Sequence, residues 1–146
     1  MKLSLTDSEK QKLRTSRIKV AEIAHTTPQA LSEILGCEQA RAERLIALAQ
    51  FQQIPSIGPR AAQMMVQHLG FYSLEEVKDE EPAQLLDLFE SRIGHRVDPC
   101  VEDQIRCIVH HANEPASRRE WPDFTKERKT YRDSRGYPKD RPKARE

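Results

Sequence analysis

The chain has 146 residues, 32% of them charged and 5% aromatic, with three cysteines and a formal net charge of +1. That length suits one domain with a floppy end, and the absence of any run near the ~20 apolar residues of a membrane span, or of alternating apolar stretches bounded by turns, argues against a membrane-spanning helix and a β sandwich. The near-neutral total conceals three blocks, net +4 over residues 1–19, −7 over 74–104 and +5 over 125–146, and two readings of the basic ends stay open: contact with nucleic acid, or folding against the acidic middle.

Thr6-Asp7-Ser8-Glu9 has the form of a capping box and predicts a short polar helix. Arg17–Ala24 supplies Ile18, Val20, Ala21, Ile23 and Ala24 as the apolar face of a second helix. Thr27-Pro28 provides an N-cap and a first-turn proline for a helix through Leu31, Ile34 and Leu35 that stops at Gly36. Glu38 to Gln52 is the strongest helical pattern: Ala42, Leu45, Ile46 and Ala49 form a stripe with Leu48 at its edge, while Gln39, Arg41, Glu43 and Arg44 look outward. Pro59 to Leu69 is the next helix, with Ala62, Met65, Val66 and Leu69 inward and Gly70 at its end. Ser73-Leu74-Glu75-Glu76 begins a short helix, and Pro82 opens another that packs Leu85, Leu86, Leu88 and Phe89 and closes at Gly94. Asp98-Pro99 starts a helix to about Ala112, striped by Val101, Ile105, Ile108 and Ala112. After Asn113 the periodicity fails, and Pro115, Trp121, Pro122 and Phe124 predict an arm that docks its aromatics on the helices. From Thr125 onward the chain is too poor in apolar residues to offset its ordering entropy, which predicts disorder.

The fold class read from this pattern is all-α: an N-terminal helical extension over 1–26, a helical domain over 27–124 and a basic flexible tail over 125–146. Residues 28–69 also hold an internal echo, Leu31 to Gly36 with Ala40 and Ala42 set against Ile54 to Gly58 with Ala61 and Ala62.

The most informative stretch is Ile54-Pro-Ser-Ile-Gly-Pro-Arg-Ala-Ala62. It reads as a tight turn between two helices, with Gly58 in a conformation closed to residues bearing a Cβ, Pro59 in the first helical turn, and Ala61 and Ala62 allowing close approach. The unpaired amides at the start of that helix, reinforced by its dipole, make a seat for a phosphate. The candidate nucleic-acid-binding residues are Ser56, Ile57, Gly58, Arg60 and Gln63: amides of the turn and the Arg60 guanidinium on a phosphate, Gln63 on a sugar or phosphate one turn on.

This pattern, followed by Leu69-Gly70-Phe71 and Ser73-Leu74-Glu75-Glu76-Val77, resembles the helix-hairpin-helix class. With Val97-Asp98-Pro99-Cys100-Val101, Arg106-Cys107-Ile108-Val109 and an aromatic arm near Trp121, the chain resembles more narrowly the bacterial pathogenicity locus family over residues 30–124. Some members of that family carry the label mitomycin resistance protein. The resemblance implies an all-α fold, DNA association and no established enzymatic activity. Ser56 stands where the class often has its first glycine, so a positive φ there is strained.

Cys100 and Cys107 lie two helical turns apart, with His111 one turn further and His95 within reach of the preceding loop, residue types that ligate zinc. Against a metal stands the lack of a C-x-x-C pair, and buried thiols on a packed helix are common. The reading adopted has no metal and no cofactor. A Cys/His pair without an oxyanion-forming loop or a third orienting group, and no paired carboxylates, argues against an enzyme. In the tail, Lys126, Arg128, Lys129, Arg132 and Arg135 alternate with Tyr131 and Tyr137, a pattern of single-strand-binding arms or of an ordinary solubilising terminus. An odd cysteine count, and a beginning in which charge rather than an apolar segment follows Leu5, point to a reduced cytoplasmic protein. The function expected is therefore non-catalytic, sequence-independent DNA binding accessory to DNA metabolism. The alternative is a protein-interaction or self-association module that uses the same hairpin.

Overall fold

A computed structural model describes residues 1–145. Among them the regular structure is helical, and the one extended pairing is an isolated bridge between Arg96 and Ala144. Helix α1 (Asp7–Thr15) begins with a complete capping box: the Glu9 amide donates to Thr6 Oγ1 at 3.0 Å and the Thr6 amide to Glu9 Oε1 at 2.9 Å. The expected helix over Arg17–Ala24 is instead a short 3-10 turn, Val20–His25. The chain reverses at Arg17, whose φ is 56°, and the Ile18 amide folds back onto the Leu13 carbonyl. Helix α2 (Pro28–Leu35) is capped by Thr27 and ends at Gly36 with φ 65°.

Helix α3 (Gln39–Gln52) is the axis of the molecule. Its stripe of Ala42, Leu45, Ile46 and Ala49 packs with Leu13, Ile23, Leu31 and Leu35. On another face Ala47 and Phe51 enter a second core with Ile54, Met65, Ile105 and Phe124. A helix buried on two sides shows a weakened single stripe, which is why only the first was readable from periodicity. Helix α4 (Pro59–Gln63) runs directly into a π-helical turn, Met64–His68, so residues 59–68 form one continuous rod. Then come α5 (Leu74–Val77), α6 (Pro82–Ile93), closed by Gly94 in the left-handed region, and α7 (Cys100–Asn113), whose first amide donates to Asp98 Oδ1 at 2.8 Å. The aromatic arm docks as expected, in a 3-10 turn at Trp121–Phe124 that buries Phe124.

The tail departs from expectation. Residues Thr125–Arg135 form helix α8, and the chain beyond it stays in contact with the body. Glu146 lies outside the described residues. What holds the segment is charge rather than apolar area. Fully buried Glu102 of α7 accepts from Arg106 and from Arg132 of α8, each at 2.9 Å. Asp103 accepts from Arg128 at 2.6 Å and from the Thr125 hydroxyl at 2.8 Å. Arg132 also reaches the Ala83 carbonyl and Asp87 of α6. Glu90 of α6 takes Arg141 at 2.8 Å and the Val97 amide at 3.0 Å. Composition-based disorder counts only the apolar residues a segment brings; here complementary carboxylates wait in the body, and each buried charge is paired, as burial demands. Of the two readings of the basic C-terminus, folding against the acidic middle is the one observed.

Candidate nucleic-acid interface

The turn joining α3 to α4 is built from both sides. Gln53 and Ile54 close the last turn of α3 with hydrogen bonds to Gln50 and Phe51. Ile57 then inserts into the core at 4% exposure, and its amide donates to the Ile54 carbonyl at 3.0 Å. The left-handed residue is Ser56, with φ 69°, not Gly58, which sits at φ −98°, ψ −171° in extended backbone open to any residue. The flexibility expected of Gly58 is therefore exercised two positions before the glycine. The Ser56 hydroxyl accepts from the Trp121 amide at 2.8 Å, so the aromatic arm is stitched to the turn.

These contacts divide the five sequence candidates. Ile57 is buried, and the hydroxyl of Ser56, an exposed residue, is taken up by the Trp121 amide. Gly58 is half-buried, and Arg60 and Gln63 are exposed. Among the described residues, the amides of Gly58, Arg60 and Ala61 donate to no backbone or side-chain acceptor. The Arg60 guanidinium is exposed and makes no ion pair there. A Cβ built on Gly58 would meet nothing within 4 Å, so the space before these amides is open. On one side of the rod, Arg60, Ala61 and Met64 border a groove of about 410 Å³ shared with Arg96, Asp98 and Arg145. On the other, Pro59 and Gln63 border a groove with Lys2, Arg44 and Tyr72. Sequence spacing gives no reason to group those three with the turn, because it is tertiary packing that brings the N-terminal segment alongside it.

The candidate metal ligands are not assembled into a site. Among the described residues no three His, Cys, Asp or Glu side chains are placed to hold a metal ion. Cys107 is fully buried, its sulfur 3.7 Å from the Arg119 carbonyl and 4.0 Å from that of Pro55. Burial raises its thiol to a pKa of about 11, against the opposing pull of Ser56 and Arg119. His111 Nε2 donates to the same Arg119 carbonyl at 2.7 Å. Cys100 lines the Arg60 groove, and burial, with Asp98 beside it, raises its thiol to about 11 as well. His95 lies in the loop before α7 with Nδ1 2.9 Å from the Arg96 carbonyl. Both sulfurs are held as neutral thiols, the wrong form for ligation or attack.

The family model described as pathogenicity locus, Cdd1, matches residues 44–130, from the middle of α3 into α8. The chain belongs to the pathogenicity locus family. The match includes the α3–α4 turn, the aromatic arm and the first half of the helix expected to be disordered. Mitomycin resistance protein McrB of Streptomyces lavendulae is 29% identical over 70 residues, which amount to 48% of this chain and 66% of that protein. The similarity thus spans less than two-thirds of that relative. No solved structure matches the pathogenicity locus chain. Among the described residues no helix is long and apolar enough to cross a membrane, and Cys37, Cys100 and Cys107 are free thiols.

Proposed function

We propose that this chain binds DNA without sequence preference and without catalysis, gripping the phosphate backbone with the α3–α4 turn in the manner of a helix-hairpin-helix, as an accessory to DNA metabolism in the cytoplasm. The observation that carries this reading is the set of three unengaged amides, Gly58, Arg60 and Ala61, at the head of the rod 59–68, with the Arg60 guanidinium exposed beside them. Orphan amides and the positive end of a helix dipole favour an anion, and a guanidinium adds a charge-assisted bond. Contacts of this kind carry no base information, so affinity falls steeply with salt.

Gly58→Ala is the informative test. Extended φ and open space make alanine acceptable to the fold, and replacing glycine there stabilises the chain slightly if at all. A methyl group would nevertheless stand where a phosphate approaches. The expected result is an unchanged or slightly raised melting temperature with at least about tenfold weaker binding to mixed-sequence duplex and single-stranded DNA, and the same loss for Arg60→Glu, by about 1.5–3 kcal/mol. Unaltered affinity in both variants, measured by anisotropy at matched salt, removes the turn from the interface.

A further inference from the structure

The groove on the Gln63 side of the rod has its own architecture. One wall is the N-terminal segment, tied across α3 by a reciprocal pair: the Lys2 amide donates to Gln52 Oε1 at 3.0 Å and Gln52 Nε2 donates to the Lys2 carbonyl at 2.8 Å. Arg41 fastens the same segment, donating to the Ser4 carbonyl at 2.8 Å while held by Glu9 at 2.7 and 2.8 Å. Leu45, Leu48 and Val66 contribute the apolar surface of the groove, whose volume is about 510 Å³. That lies within the roughly 300–1,000 Å³ of small-ligand sites.

Its chemistry is one-sided. No acidic residue lines it. Two of its cations, Lys2 and Arg44, have no carboxylate partner among the described residues, unlike Arg41. Tyr72, at 41% exposure one of the most exposed large apolar residues among those described, also lines it. Gln63 Nε2 donates to Gln67 Oε1 at 2.7 Å, which leaves Gln63 Oε1 as an acceptor and Gln67 Nε2 as a donor on this exposed pair.

We propose that this groove holds an unpaired base of a single-stranded nucleic acid, stacked on Tyr72 and edged by the Gln63–Gln67 pair, with its phosphates on Arg44 and Lys2. The proposal rests on the reading of the turn as a phosphate seat and adds the substrate class, single strand over duplex. An acidic peptide would use the cations but would leave the ring and the donor–acceptor pair idle. A base within a duplex is stacked and cannot reach an aromatic face at the protein surface, whereas an unstacked base can.

Fluorescence anisotropy of the full chain with a twelve-residue oligothymidylate, a blunt mixed-sequence duplex of equal length and an oligoglutamate tests it. The expected result is oligothymidylate binding at least about tenfold tighter than duplex. Tyr72→Ala then lowers oligothymidylate affinity by about 5- to 10-fold, near the lower end of what one stacked base contributes. Duplex affinity stays unchanged and Tyr72→Phe restores the loss. Arg44→Ala reduces the salt slope by about one charge. Tyr72 is exposed, so the fold survives, as circular dichroism would verify. Equal affinity for duplex, indifference of oligothymidylate to Tyr72→Ala, or oligoglutamate binding as tightly as oligothymidylate overturns the proposal. Oligothymidylate binding that needs Arg60 but ignores Tyr72 leaves the phosphate seat standing and the groove refuted. Oligothymidylate binding that needs Tyr72 but ignores Arg60 does the reverse.

Discussion

Ser56 holds the turn in a conformation that costs a residue with a Cβ on the order of 1–2 kcal/mol, and its hydroxyl returns part of that by accepting the Trp121 amide. The same small region encloses Cys107, whose sulfur rests against the Pro55 and Arg119 carbonyls. With full burial and a pKa near 11, this thiol stays protonated at neutral pH and out of reach of reagents. In a thiol-labelling time course at pH 8, Cys107 is expected to react only after denaturant is added, whereas partly exposed Cys37 reacts in the native protein. Modification of Cys107 as fast as Cys37 would contradict the packing described. Of the five candidate residues, Ile57 turns its amide back onto the Ile54 carbonyl, and the Ser56 hydroxyl accepts from the Trp121 amide. Sequence shows that a turn is present, but whether an amide points outward or back onto Ile54 depends on φ and ψ values that only the closed structure sets.

At the scale of elements, the N-terminal helix α1 is joined to α3 by one carboxylate, beside the apolar contact of Leu13. Glu9 takes a bidentate fork from Arg41 and the Thr6 amide, and that fork, outweighing burial, lowers its pKa from 4.5 to about 2. A carboxylate whose folded pKa is depressed contributes stability that is complete above its unfolded pKa and lost as pH falls through the folded one. The contribution of this clamp should therefore be intact above about pH 4.5 and drain away toward pH 2. In urea titrations, Arg41→Gln is expected to be less stable than the parent at pH 7, with the gap closing as pH drops through that window. A gap constant down to pH 2 would mean that Arg41 acts by packing alone. Glu9 was legible as a capping-box residue from Thr6-x-x-Glu9; its partner 32 residues away was not, because no local pattern links α1 to the outward face of α3.

For the molecule as a whole, the C-terminal segment is a strap over α6 and α7. Glu90, Glu102 and Asp103 are all at most 1% exposed, and the guanidinium groups of Arg141, Arg132 and Arg128 neutralise them. Around Glu90 the bonds from Arg141 and the Val97 amide outweigh a larger burial penalty, so its pKa still falls below the ordinary value. Taking away one partner leaves a buried charge uncompensated. Arg132→Ala is expected to cost about 3–5 kcal/mol, read as a lowered urea midpoint, and removal of residues 125–145 to abolish cooperative unfolding. Buried pairs are weakly screened, so raising salt is expected to leave the melting temperature nearly unchanged, whereas the DNA binding proposed for the turn would weaken. A loss under about 1 kcal/mol for Arg132→Ala would mean that the strap is a surface ornament.

The amino-acid sequence by itself determined the helical class, the helix starts at Thr6, Thr27, Pro59 and Pro82, the stops at Gly36 and Gly94, and the docking of the aromatic arm. All of these are written in local signals: caps, prolines, glycines and a 3.6-residue stripe. It also identified the family and the turn at 54–62. Tertiary structure alone decided that α3 serves two cores, that the basic tail is a helix clamped by carboxylates up to 51 residues away in the chain, and that Lys2, Arg44 and Tyr72 meet beside Gln63. The reason is that ion pairing and groove formation join residues by proximity in space, and charge along a chain has no period from which that proximity can be read.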